Sequence, residues 1–496
     1  MTTLTWEQAD TAVTAEERPG KVAGVGAPAT EATAAEASAA ETLRDALRDI
    51  LPDPLVIVDP ASIDGIQRRS RQDGVGPIIA AVTPDNAQQI ADVLRLASAA
   101  RVPVYTRGAG SGIGGLSAPE RAGILLLTER LNRILDFDPV SRTIRVEAGV
   151  VTADINAYLD GSGLYYAPDP ASAGFSTIGG NIATNAGGFH CVKYGTTRQS
   201  LLSLKVVLAD GSIIETGRGV AKNVAGLDLT SLFTGSEGAL GVVVEATLKL
   251  LPRPLREASA IAFLDDLAQV GDAVNAVQAV PVQVSTFDLM GVPYIQTYPD
   301  RYLPAVGDAR WMLLVQADGL AGDEEIRLVA EALRRVGASV ITPDGDEVAS
   351  FLELRTTGRA IPPSDHPRWL VEVDAAVPLS QVATYLRDIE GEARAHAGEG
   401  VGFSFAAHIG DGNVHAVFLA ERRPDDVDRP ESITAIRHRL LLRALELGGT
   451  ITGEHGIGTG LKDYLPLQVG ERDLAVQRAI KQALDPQGIL NPGKWL

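Results

Sequence analysis

The sequence predicts an α+β protein in which two sheet-bearing regions follow one another, and three observations carry that prediction. Short β-rich runs alternate with amphipathic helices, yet strands often follow strands directly, which argues against a uniform βαβ winding. A two-proline break, "LPRPL" (Leu251 to Leu255), separates one such series from the next. At 496 residues the chain is too long for one ordinary core, so two or three domains are expected.

Residues 1–40 are rich in Ala, Thr, Glu and Gly and poor in large apolar groups. Such a stretch cannot offset its ordering entropy and reads as a disordered tail. A helix is expected from about Glu41, with Leu43, Leu47, Ile50 and Leu51 on one face. Within residues 41–253, "GPIIAAVTP" reads as a strand and "DNAQQIADVLRLASAA" as a helix burying Ile90, Val93, Leu94 and Ala97. The runs "VPVYT", "GILLL", "TIRVEAGV", "SLKVVLADGS" and "GVVVEATLKLL" are further strands. Residues 254–450 restart the pattern: strand "REASAIAFL", a helix around Leu264 to Val280, strand "RWMLLVQAD", and a helix around Glu324 to Val336. The strands "WLVEVDAAVP" and "GFSFAAHIG" come next. Residues 451–496 hold a Gly-rich turn, a helix from about Glu471 to Leu484 and a closing "DPQGILNPGKWL", which would pack back on the first region.

A formal net charge of −19 excludes nucleic acid as a partner, because phosphate binding needs a basic surface. No apolar run of roughly 18 residues is present, and the N-terminus lacks the layout of a secretory signal. The single cysteine, Cys191, forbids an intrachain disulfide and suits a reducing compartment, so a cytoplasmic location is expected. An anionic substrate would need local positive potential from arginine, a metal or backbone N–H groups.

Three small-residue loops point to a ligand. "RGAGSGIGG" (Arg107 to Gly115) matches a dinucleotide fingerprint formally, but "GILLL" follows where a Rossmann loop needs a helix. Its glycines would still let backbone N–H groups approach a phosphate closely. "PDPASAGFSTIGGNIATNAGG" (Pro168 to Gly188), followed by "KYG" at Lys193 to Gly195, and "FTGSEGALGVV" from Phe233 add two more. Together they suit a long, extended ligand held largely by backbone, and a dinucleotide has that shape. His190, in "GGFHCVKYG", reads as a packing or hydrogen-bonding residue.

The chain has seven histidines, two of which bracket the turn in "HIGDGNVH". Strand-like flanks around Gly410-Asp411-Gly412-Asn413 predict a tight connection that brings His408 and His415 together. Two imidazoles on a rigid edge are half of a transition-metal site, and "GEHGIG" supplies Glu454 beside His455. From spacing alone, polar turns and a metal site both stay open.

Taken in order, "RGAGSGIGG", "PDPASAGFSTIGGNIATNAGG", "GLDLTSLFTGSEGALGVVVEATLKL", "HIGDGNVH", "GEHGIG" and "DPQGILNPGKW" resemble flavoproteins of the vanillyl-alcohol oxidase type. The branch is that of D-lactate dehydrogenases, D-2-hydroxyglutarate dehydrogenases and the D subunit of glycolate oxidase. The resemblance implies a PCMH-type FAD-binding domain of two α+β subdomains and an α+β cap with an antiparallel sheet. It implies non-covalent FAD, since the first loop has no histidine. The implied FAD positions are Arg107, Gly108, Ala109, Gly110, Ser111 and Gly112 in the first loop. The second contributes Pro168, Asp169, Ser176, Gly179, Gly180, Asn181, Asn185, Gly187, Gly188, Tyr194 and Gly195. Glu237, Gly241, Val243 and Asn491 complete the set.

The resemblance also implies a divalent metal (zinc, iron or manganese) on His408, His415 and Glu454, with His455 as base and Arg355 on the substrate carboxylate. A 2-hydroxy acid would chelate the metal, lose its hydroxyl proton to His455 and pass hydride to flavin N5. Where dicarboxylate-specific relatives have a cap threonine, a lysine and an asparagine, this chain has Arg359, Glu372 and Val417. Glycolate or D-lactate is therefore expected over D-2-hydroxyglutarate. The expected electron acceptor is a quinone, a cytochrome, an electron-transfer flavoprotein or a partner subunit, and any membrane contact would come through that partner. A homodimer is compatible with the sequence. An oxygen-using oxidase and a non-catalytic flavin-binding subunit are the alternatives.

Overall fold

The computed structural model describes residues 34–70, 76–291, 309–343, 368–396, 401–422 and 431–495. Among them the strands form three main sheets and one short pair. The first sheet contains β1 (Val56–Ile57), β2 (Ile78–Val82), β3 (Val104–Arg107) and β4 (Gly123–Leu127), in the order β1-β2-β4-β3. β4 runs parallel to both β2 and β3, and β1 is antiparallel to β2. The helix Ala87–Ala100 makes the crossover, started by Asn86, whose side chain accepts the Gln89 N–H. Its Ile90, Val93, Leu94 and Ala97 are fully buried. Every residue of β4 is buried, which is why "GILLL" reads as an unbroken apolar run rather than an alternation.

The helix Ala34–Ile50 corrects the expected extent of the tail, because it begins inside residues 1–40. The stretch "AAEASAA" consists mostly of strong helix formers, so it extends the helix backward from the turn where Leu43, Leu47 and Leu51 pack. Ile50, expected on that face, is 36% exposed. Residues 1–33 of the expected tail lie outside the described residues.

The second sheet takes β5 (Ile134–Asp138) and β6 (Thr143–Glu147); next in the chain, β7 (Leu164–Tyr165) lies outside it. β8 (Leu201–Val207), β9 (Ile213–Gly217) and β10 (Val242–Lys249) complete it in the antiparallel order β5-β6-β10-β8-β9. β7 pairs instead with β11 (Leu251–Pro252).

The third sheet is antiparallel throughout. It contains β12 (Arg256–Leu264), β13 (Thr286–Gly291), β14 (Trp311–Gly319), β15 (Ser339–Ile341), β16 (Arg368–Ala376), β17 (Val401–His408) and β18 (Asn413–Glu421). Their order is β15-β12-β14-β13-β17-β18-β16. Four helices (Leu267–Gln278, Gly322–Arg335, Val382–His396 and Glu431–Glu446) join one face of it in a single apolar core. Phe287, Val373, Phe405, Val414 and Ala416 point into that core, so the alternate residues of the same strands face the other way. That second face carries the histidines.

The last helix, Leu465–Leu484, is interrupted at Gly470 (φ 77), so the helix expected from Glu471 is its second segment. The chain then returns to the first sheet. Val104 donates to Ile489 O, and Asn491 N–H donates to Val104 O.

Candidate active site

An open cleft with about 1370 Å³ of empty space runs along the three small-residue loops. Its course along all three loops suits an elongated ligand. Thr106 to Ile113, Gly179 to Asn181, Gly187, Ser236 to Gly238 and Gly241 to Val243 line the cleft. Glu454 and His455 also line it. Gly108 packs against a side chain of the second loop, where a Cβ would sit 2.2 Å from Thr177 Oγ1. Two polar atoms on cleft-lining residues, Thr106 Oγ1 and Asn491 Oδ1, are buried without a hydrogen-bond partner, as expected where a polar ligand belongs.

At the His455 end, four adjacent strands place a row of side chains on the open face of the third sheet. His408 pairs with Asn413 and His415 with Ala406 across the β17–β18 hairpin, which sets the two imidazoles diagonally on one face. Their ring centroids are 5.3 Å apart. On β13, beside the Leu289–Ala407 pair, Asp288 accepts from His408 Nδ1 at 2.9 Å. On β16, Asp374 lies opposite His415 in register, with Oδ1 3.5 Å from His415 Nδ1. Each imidazole thus has a carboxylate behind its Nδ1, the usual support of a ligating histidine.

Glu454 enters from the turn after the Glu431–Glu446 helix, with Oε1 3.3 Å from His415 Nε2 and 3.6 Å from His455 Nε2. One donor atom each of His408, His415 and Glu454 lies within 4.8 Å of the others, and the same holds for Glu372, His415 and His455. The turn is held from both sides. Asp374 Oδ2 accepts the N–H groups of Gly453, Glu454 and His455, while Glu237 accepts those of Ile457 and Gly458 at 2.6 and 2.9 Å. Gly458 has φ 48, and a Cβ there would lie 1.9 Å from Gly114 O, so the turn closes directly onto the first glycine loop.

The electrostatics suit a cation. Burial would raise Glu454, but His415 and His455 beside it hold it well below the usual carboxylate range. Burial disfavours a charged His455, yet Asp374, Glu372 and Glu454 outweigh it and push the imidazole up to about 10. A divalent ion among these carboxylates would relieve the excess negative charge and bring His455 back toward neutrality. Two imidazoles and a carboxylate suit zinc, iron or manganese.

Of the FAD positions expected from sequence, Arg107 to Gly112, Gly179, Gly180, Asn181, Gly187, Glu237, Gly241, Val243 and Asn491 line the cleft. Pro168, Asp169, Ser176, Asn185, Gly188, Tyr194 and Gly195 do not. Several have local partners: Asp169 accepts from His190 Nδ1 at 2.6 Å, and Ser176 lies against Thr152. Asn185 caps a helix with φ 52 and accepts from Thr196, and the Tyr194 hydroxyl donates to Asp318. Sequence reading missed the cleft residues Leu116, Ser117 and Phe233 and the carboxylates Asp288 and Asp374. Arg355 and Arg359 lie outside the described residues.

The fold and cleft define a flavin-dependent oxidoreductase architecture. The chain matches the family described as "FAD binding domain" over residues 78–217 and "FAD linked oxidases, C-terminal domain" over residues 253–495. It belongs to the FAD-linked oxidases. The glycolate oxidase subunit GlcD of Bacillus subtilis is 37% identical over 423 residues, covering 84% of this chain and 88% of that protein. A D-lactate dehydrogenase of Anaerostipes hadrus is 30% identical, covering 83% and 88%. The fold is that of p-cresol methylhydroxylase with substrate bound, with a TM-score of 0.74 at 17% identity, covering 92% of this chain and 97% of that one. The protein is therefore an FAD-linked oxidoreductase. Among the described residues, no helix is long and apolar enough to cross a membrane.

Proposed function

We propose that the protein oxidises a small D-2-hydroxy acid, of the glycolate or D-lactate type, to the 2-oxo acid, using non-covalent FAD and a divalent metal on His408, His415 and Glu454. The observation that carries this reading is the convergence of the cofactor cleft and the histidine row on one turn, which bears both Glu454 and His455. Bound flavin supplies a two-electron acceptor, and the metal supplies a Lewis acid for the substrate hydroxyl. His455 takes the hydroxyl proton at Nε2, because its Nδ1 faces Asp374 and Glu372 at 3.7 and 3.8 Å. Those carboxylates orient the ring and stabilise the imidazolium that forms. Glu372 also puts negative charge beside the base, which supports a substrate with an uncharged side chain over a dicarboxylate. Arg355 is the proposed partner of the substrate carboxylate. Electrons then leave to a quinone, a cytochrome, an electron-transfer flavoprotein or a partner subunit.

The test is anaerobic bleaching of the flavin by glycolate, D-lactate, L-lactate and D-2-hydroxyglutarate, before and after chelation and in His455→Ala. Bleaching by glycolate or D-lactate, lost on chelation and in the variant, is the expected result. A flavin- and metal-loaded protein that no 2-hydroxy acid bleaches would sink the reading. Hydrogen peroxide formed in air would mark an oxidase instead of a dehydrogenase.

A further inference from the structure

We infer that Asp374 is a positioning residue: it sets the turn bearing Glu454 and His455 in register with His415. This inference rests on the function proposed above. Asp374 lies on β16, opposite His415 of β18, and its side chain is only 5% exposed. One oxygen, Oδ2, accepts four donors from one short stretch: the Thr452 hydroxyl at 2.7 Å and the N–H groups of Gly453, Glu454 and His455 at 3.0, 3.1 and 2.9 Å. The other, Oδ1, accepts from Asn413 Nδ2 at 2.8 Å and faces His415 Nδ1 at 3.5 Å.

Consecutive N–H groups aimed at one point form a nest that binds an anion, and here the protein fills it with its own carboxylate. The consequence is geometric. His415 belongs to a hairpin whose register is set by strand pairing, whereas the turn bearing Glu454 and His455 is tied to β16 by backbone bonds at Thr450 and Gly453, ahead of both residues, whose own N–H groups are bonded to the Asp374 side chain. Asp374 is the side chain bonded to the turn's amides and aligned with the hairpin histidine, across 78 to 81 residues of sequence. Without it the N–H groups of Glu454 and His455 lose their acceptor, Gly453 keeping only the Asp374 backbone carbonyl, and the turn can drift relative to His415 while His408, His415 and Glu454 all remain present. Thr452 supports the same cradle: its hydroxyl donates to Asp374 and accepts the Gly456 N–H at 3.0 Å.

The experiment compares wild type, Asp374→Asn and Thr452→Val as full-length, flavin-loaded proteins. Zinc affinity is measured by competition with a chelator, the visible spectrum is recorded with cobalt in place of zinc, and the rate of anaerobic flavin bleaching is followed. Asp374 does not line the flavin cleft, so flavin content should stay at the wild-type level in both variants. Loss of a carboxylate supporting a ligand shell typically costs roughly 10–100-fold in affinity or activity. Asp374→Asn should show that loss in zinc affinity and in the bleaching rate at saturating substrate, with a shifted cobalt band. Thr452→Val should move all three in the same direction by less. If Asp374→Asn does not fold, the Thr452→Val result decides alone. Wild-type zinc affinity and cobalt spectrum in the folded variants overturn the inference, as does a loss of flavin in parallel with zinc. A wild-type protein that binds neither zinc nor cobalt overturns the functional reading, and this inference with it.

Discussion

Replacing Gly187 by alanine adds one methyl group at the point where the flavin cleft meets the Glu454 carboxylate. The new Cβ would lie 2.7 Å from Glu454 Oε2 and 3.4 Å from Cys191 Sγ. Gly187 is not in the left-handed region, so the backbone accepts alanine without strain. The change by itself should be neutral or stabilise the fold by about 0.4–1 kcal/mol through the unfolded chain. The carboxylate oxygen, however, must retreat by about 0.7 Å to regain an ordinary contact of 3.4 Å. A displacement near 1 Å in a reacting constellation can cost on the order of 100-fold, so a loss of roughly tenfold, or about 1.4 kcal/mol, is expected in both metal affinity and bleaching rate. Calorimetric zinc titration, stopped-flow bleaching and the flavin-to-protein ratio give the three numbers needed. Unchanged zinc affinity would mean that Glu454 is not a ligand. Lost flavin with retained zinc would mean that the methyl group acts on the cofactor, and the steric argument would fail.

Two further predictions concern how the domains are held. Burial pushes Glu237 up to about 7 despite the N–H groups of Ile457 and Gly458, so the folded protein binds a proton there that the unfolded chain has released above its ordinary value of 4.5. Its contribution is complete at low pH and is lost as pH rises through about 7, a change of about 3 kcal/mol relative to Glu237→Gln in flavin-stripped protein between pH ~4.5 and ~8. Urea unfolding of the pair at both pH values checks this, and a pH-independent difference contradicts it. Asp318→Ala removes the carboxylate that accepts from Lys193 and from the Tyr194 hydroxyl, where the side chains of the ion pair are 19% and 6% exposed. A buried charge left unpaired costs about 3–5 kcal/mol, so the melting temperature should fall sharply; a loss under about 1 kcal/mol would show that water still reaches Lys193.

The sequence alone determined the features whose causes are local. A Gly-Asp-Gly-Asn connection between alternating strands brings His408 and His415 together whatever surrounds them, because strand period and turn chemistry act within eight residues. The glycine loops were legible for the same reason, since close backbone approach can be met only by small side chains. Asp288 and Asp374 were not legible. Each looks like an ordinary polar residue of a strand, and each matters only because β13 and β16 lie on either side of the histidine hairpin. Asp374 reaches His415 and the 453–455 amides by strand order, which hydrophobic alternation cannot encode. Asn185 and Tyr194 have local partners that the sequence does not reveal. They share a stretch with cofactor-lining residues, yet tertiary packing assigned one to a helix cap and the other to Asp318 on the facing sheet. Residue types and turns were written in the chain, but which carboxylates stand behind the imidazoles was decided by the pairing of segments 41 to 120 residues apart.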